Sequence, residues 1–298
     1  RDLPLKKRDF MDLALLAPGV VLDQSSARNS SGTDSISFFG MDESHKAIWL
    51  EGIDFNDEVI GGGTNISRGT RTPVGQEAIR EFQIMTSGYS AEFGRSGSGA
   101  INVSLKSGSN DVHGSGFYFL RDDAFDKPNF RLSNGIASSA SSVTPFKTQQ
   151  YGGTIGGPLL RDRAFYFLSL ERRTNEESSE VSIPATVKAF VDSLKKGYDT
   201  RSTIPTTRAQ ANAMGKFTFN LDNRNRLDVT YIYDDDNDRN KDIGGSDAAD
   251  RGFDDLNNSY FATASLTTSI GSRIVNEFRL NRSNQRIVRS LRKGEVYL

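Results

Sequence analysis

Residues 216–234 read KFTFNLDNRNRLDVTYIYD, and the fold is decided by how that stretch is understood. Phe217, Phe219 and Leu221 alternate with polar residues, and so do Leu227, Val229, Tyr231 and Tyr233. Successive side chains of a strand point to opposite faces, so each run predicts a strand with one apolar face. Between them Asp222, Asn223, Arg224 and Asn225 form a short polar turn. The pair is predicted to be a β-hairpin.

Two further hairpins follow from the same pattern. Residues 260–270 and 273–281 meet across Gly271-Ser272, and residues 150–156 and 164–172 meet across Gly157-Pro158. On the other side the connections are long. Residues 122–148, 174–208 and 235–257 each exceed the roughly 12 to 15 residues usual in a compact domain. Short turns alternating with long loops are what an outer-membrane barrel shows, whereas a soluble sandwich has turns of comparable length at both ends. Opposite the apolar stripe stand Asp228, Thr230, Thr263, Ser265, Thr267, Glu277 and Arg279. Periodicity alone lets that polar face point to bulk water in a sandwich or to the lumen of a barrel. Loop asymmetry and the aromatic strand ends at Phe165, Tyr166, Phe167 and Tyr260 favour the barrel.

Composition removes other classes. The chain has 298 residues, 37 Lys and Arg against 38 Asp and Glu, a formal charge of -1 and no Cys. It has no global basic field for nucleic acid, and no thiolate, disulfide or Fe–S chemistry is open to it. His45 and His113, the two His, are far apart in sequence. That is a poor start for a metal site or a His-based triad, and neither a metal nor a cofactor is expected. The longest apolar run, residues 13–22, is interrupted by Pro18 and Gly19 and falls well short of the ~20 residues of a spanning helix. Mean hydropathy of -0.51 is compatible with barrel strands, which show only every second residue to lipid.

The first half reads as a small α+β domain. A helix is predicted over residues 10–17, with short strands at 46–50, 79–86 and 100–105. Residues 56–72, with Gly61, Gly62 and Gly63, read as a long loop. Neither GxGxxG, GxxxxGK[ST] nor GxSxG occurs, which removes the phosphate-loop and hydrolase-elbow readings. Asp234, Asp236 and Asp238 have the spacing that opens a calcium loop. Arg239 stands where its Gly belongs and no Glu closes it, so a solvated acidic loop is the expectation. Glu51 and Asp54 read as residues of a turn beside a strand. Residues 186–196 carry Val187, Phe190, Val191 and Leu194 at helical spacing and predict a short helix capping a loop over the barrel mouth.

Residues 49–57, WLEGIDFND, resemble a strand–turn of the plug domain of TonB-dependent outer-membrane receptors. Residues 77–126 resemble the end of that plug and the entry into the first barrel strand. The strings SAEFGRSGSGAINV, KSGSNDVHGSGF and QYGGTIGGPLLRDRAFYF are similar to the Oar-like subgroup, and the resemblance covers most of residues 3–171. Gly94, Gly97 and Gly99 are expected to let backbone pack closely in such a plug. The implied fold is an α+β plug domain, residues 1–110, followed by antiparallel transmembrane β-barrel strands, residues 111–298. The family's barrel has about 22 strands and this chain has room for roughly seven or eight, so the barrel is expected to be incomplete.

The implied activity is uptake or export of a large ligand, a siderophore, oligosaccharide, peptide or protein, in the outer membrane of a Gram-negative-type cell. No bond is broken, and no catalytic residue is assigned. The partners implied are outer-membrane lipid, the ligand, and the TonB–ExbB–ExbD energy complex, reached through a segment expected to lie before Arg1. Ligand contact would fall to the apical loop of the plug through Gly61, Gly62, Gly63, Thr64, Asn65 and Arg68. Glu77, Arg80, Glu81, Glu92 and Arg95 would pair with charges of the barrel wall. A secreted soluble β-rich binding or adhesion protein is the competing reading, and an enzyme comes third.

Overall fold

The structure is a computed structural model. It describes residues 14–23, 35–41, 45–56, 74–90, 93–94, 96–126, 130–133, 136–139, 145–194, 201–245, 247 and 251–291. Strands β1 (Val20–Asp23) and β2 (Ser35–Phe38) form a two-stranded antiparallel ribbon. Strands β3 (Lys46–Leu50), β4 (Ile53–Asp54), β5 (Ile79–Met85) and β6 (Gly99–Leu105) make a four-stranded mixed sheet in the order β4-β3-β6-β5. In it β3 and β6 run parallel. Gly99 lies against Phe38, and a Cβ there would overlap the Phe38 ring. Close packing is thus imposed at Gly99, while Gly94 has open space where a side chain would stand.

Strand β7 (His113–Asp122) opens a second, larger sheet, and a small hairpin follows it, β8 (Phe130–Ser133) with β9 (Ile136–Ser139). The large sheet continues with β10 (Phe146–Leu160), β11 (Ala164–Glu180), β12 (Thr203–Asn220), β13 (Asn225–Lys241), β14 (Phe253–Ile270) and β15 (Ile274–Leu291). Its seven strands are ordered β15-β14-β13-β12-β11-β10-β7, all antiparallel and in sequence order apart from the inserted hairpin. The sheet is an open wall with β7 and β15 at its edges. A nine-residue helix, α1 (Ala185–Ser193), sits between β11 and β12 where the sequence predicts a helix, and none of its side chains is buried.

Three sequence expectations are corrected by strand length. The turn between β10 and β11 is residues 161–163, and Gly157 and Pro158 lie within β10, where the pairing register shifts between Pro158 and Leu160. The connection expected over 235–257 shrinks to residues 242–252, because β13 and β14 both extend into it. Asp234, Asp236 and Asp238 are therefore strand residues on one face of β13.

Alternation divides the wall. Leu227, Val229, Tyr231 and Tyr233 point to its outer side, with Phe217 and Phe219 of β12 beside them. On the inner side Phe167, Met214, Ile232 and Phe261 are at most 5% exposed. They join Ile48, Leu50, Ile53, Phe55, Ile101, Val103 and Leu105 in one apolar cluster. The mixed sheet is thus packed on the inner face of the wall. Phe167 belongs to that core, not to an aromatic edge of the strand.

Candidate functional site

The turn between β3 and β4 carries polar ties from the mixed sheet to the wall. Glu51 and Gly52 both take left-handed backbone, with φ of 54° and 73°. Gly meets that demand without strain, and a side chain at 52 would also run into the Arg279 guanidinium. The turn directs Glu51 across the seam, where its Oε2 accepts from Lys216 Nζ at 2.6 Å. Its other oxygen accepts the backbone N–H of Leu105, so one carboxylate ties β6 to the wall. Lys216 is nearly enclosed, with 6% of its side chain accessible. A charge so placed requires a partner. Arg279 Nη1 of β15 donates to the Gly52 carbonyl at 2.8 Å and also pairs with Glu277. Phe55 then meets Phe261 edge to face, with ring centroids 5.0 Å apart.

Beneath this contact lies a polar cavity of about 200 Å³ lined by Glu51, Arg80, Ser104, Lys216, Arg226 and Asp228 among others. Asp228 is held by Arg226 at 2.9 Å and by the Thr218 hydroxyl at 2.6 Å. Of the residues expected to pair with the wall, the structure brings Arg80 to this cavity. Glu77 accepts from Lys106 through its backbone carbonyl at 2.6 Å, and Glu81 is exposed on β5. Glu92 and Arg95 lie outside the described residues, as do Gly61, Gly62, Gly63, Thr64, Asn65 and Arg68.

Sequence reasoning passed over Glu51, Gly52, Lys216 and Arg279 as seam residues. One signal was present. In the inner row of the wall Lys216 is flanked by Phe167, Thr230 and Thr263, none of them acidic, and a cation with no acid in its own row calls for a counter-charge from elsewhere.

Above the seam the inner face turns polar. Gln150 donates to Glu171 at 2.6 Å and Gln210 donates to buried Asp234 at 2.8 Å. Near the long-loop end Asp255 pairs with Lys241 at 3.2 Å and with Arg289 at 2.7 Å, while Lys241 also reaches Asp238 at 3.6 Å. The Arg289 guanidinium lies 3.9 Å from the centre of the Phe253 ring. Burial pushes the Asp255 carboxyl up, but the Arg289 and Lys241 cations outweigh it and hold it below the ordinary value. Among the described residues no group of three or more His, Cys, Asp or Glu side chains is placed to hold a metal ion. No described helix is long and apolar enough to cross a membrane, which leaves open a crossing by strands.

Residues 104–190 match the family described as an outer membrane beta barrel domain. Over 162 residues, 54% of this chain, the sequence is 30% identical to the TonB-dependent transporter Oar of Myxococcus xanthus. The chain resembles TonB-dependent outer-membrane transporters. It spans only 14% of the length of Oar. The wall and mixed sheet together superpose on the outer membrane transporter YddB from Escherichia coli with a TM-score of 0.66, at 18% identity, covering 96% of this chain and 37% of that one. A ferric enterobactin receptor from Pseudomonas aeruginosa gives 0.64 at 14% identity, covering 94% and 38%. Those two likenesses show the fold: among the described residues mostly antiparallel β with one α-helix, similar to those outer-membrane proteins. The barrel domain and the Oar match indicate an outer-membrane location, and transporters and receptors of this kind are not enzymes.

Proposed function

We propose that residues 1–110 are the plug and residues 111–298 the opening strands of a TonB-dependent transporter that moves a large ligand through its barrel, energised by TonB, ExbB and ExbD. The observation that carries this reading is the seating of the mixed sheet on the inner face by Glu51–Lys216, Arg279 and Phe55–Phe261. A body filling the lumen needs enough apolar contact to stay, and polar ties that can be exchanged for water when it moves. The seam has both. Arg80, at the shared cavity, is the member of the expected charge cluster best placed to contribute.

The ligand-contacting tip in this reading is the glycine-rich segment containing Gly61 to Arg68. Its described flanks support that position. Phe55 meets Phe261, and Gly75 abuts Glu171, which stands four positions beyond Phe167 toward the long-loop end of β11. Both flanks therefore lie on the long-loop side of Phe167. The test needs no ligand. Full-length protein in a planar lipid bilayer is expected to be electrically silent, and a variant lacking residues 1–110 is expected to conduct. A deletion variant that inserts and stays as silent as the parent overturns the plug assignment.

A further inference from the structure

On the outer side of the wall a depression of about 800 Å³ crosses strands β10 to β13. It exists because side chains are missing. Gly153, Leu170, Ala213 and Tyr233 form one outward row in register, and Tyr151, Arg172 and Ala211 belong to the next row toward the long loops. Gly153, Ala211 and Ala213 supply the floor, and the aromatic rings of Tyr151 and Tyr233 stand at its two sides. Tyr151 is stacked on Tyr118, with centroids 6.2 Å apart, which stiffens one bank. Arg172 lies at the loop-side end of the depression and is exposed. Asp235, the acid in the same row, is occupied by the amides of Asn258 and Asn237.

We infer that this depression holds one acyl chain of an anionic membrane lipid, with the lipid phosphate paired to Arg172. The inference rests on the outer-membrane reading, which places hydrocarbon against this face. It goes beyond that reading by assigning a particular lipid to a particular groove. An apolar trough bounded by tyrosines matches the level at which hydrocarbon gives way to headgroups, since Tyr favours that boundary. A guanidinium just beyond the trough presents a forked donor to phosphate oxygens. Elsewhere on the same face the small Ala264 stands between the larger Val229 and Leu280, whereas here Gly153, Ala211 and Ala213 fall together.

The experiment uses the full-length protein in nanodiscs of equal phosphatidylglycerol and phosphatidylcholine, followed by detergent extraction and native mass spectrometry of retained lipid. The parent is expected to retain phosphatidylglycerol over phosphatidylcholine by about fivefold, the worth of one cation near a headgroup. Ala213→Phe, which fills the trough, is expected to lose the retained lipid. Arg172→Gln is expected to keep a lipid and lose the preference. Ala264→Phe, outward but away from the trough, is expected to behave as the parent. Equal retention by Ala213→Phe and the parent overturns the groove, and an unchanged preference in Arg172→Gln overturns the phosphate contact. A parent protein that never enters the bilayer overturns the transporter reading itself.

Discussion

Lys216 and Glu51 lie 165 residues apart in the chain, and their pairing decides how the mixed sheet is held. Each charge has lost much of its water, and Glu51 spends its second oxygen on a backbone N–H. Lys216→Ala leaves that carboxylate at the polar cavity without its directly paired cation. The expected cost is about 2 kcal/mol, between the values typical of exposed and fully buried pairs. Glu51→Gln combined with Lys216→Met removes both charges and is expected to recover most of it. Denaturant titration in detergent checks this, and a double variant no better than Lys216→Ala alone would falsify the pairing as the cause. The sequence shows the Glu51 turn plainly, since WLEGIDFND is a strand followed by a Gly turn. It conceals the partner. Alternation tells which side of β12 Lys216 faces, but a partner 165 residues away carries no local pattern.

At the scale of elements, the strands are longer than a membrane needs. β12, β14 and β15 have 18 residues each, against roughly 9 to 11 for a crossing strand. The outward apolar stripe on β13 ends at Tyr233, before Asp235, so the rest of the strand stands beyond it on the long-loop side. This explains why residues 235–241 read as a loop: a strand polar on both faces loses the apolar alternation by which it is recognised. What holds these extensions together is the ion-pair group around Asp255, which binds β14 to Lys241 of β13 and Arg289 of β15. Because the Asp255 carboxyl is held below its ordinary value, its contribution is fully present above the unfolded value near about 4 and is lost as pH falls through the folded one. Protection of the amides at the loop ends of β14 and β15, taken relative to the intrinsic exchange rate at each pH, is therefore expected to hold down to about pH 4 and to fall below it. In Arg289→Gln the onset is expected at higher pH, since one of the two cations is gone. Identical pH profiles for parent and variant would remove Asp255 from the account.

The described strands make one wall with two unlike faces, and neighbouring residues of a strand fall on them in turn. Hairpins, strand order and the outer apolar stripe were legible because they rest on period two and on turn chemistry. The filling of the inner side was not legible from pattern, because Phe167, Met214, Ile232 and Phe261 interrupt a face otherwise read as polar. They are apolar where the mixed sheet packs and for no reason internal to their own strands. Ala264 and Ser265 of β14 make the difference between the faces measurable with one side chain. Ala264 lies between Val229 and Leu280 on the outer face; Ser265 lies between Asp228 and Arg279 on the inner face, and its hydroxyl donates to Glu277. Arg at 264 must carry its charge into hydrocarbon near the middle of the stripe, at an expected cost of about 2 to 4 kcal/mol. Ser265→Arg places its guanidinium on the polar inner face, beside Asp228 and Glu277 as well as Arg279, and is expected to cost clearly less than Ala264→Arg. Reversible folding of the full-length protein into lipid vesicles, read by denaturant titration, separates the two. Equal costs at these adjacent positions would mean that both faces of the wall meet the same solvent, and the barrel reading would give way to a soluble sheet.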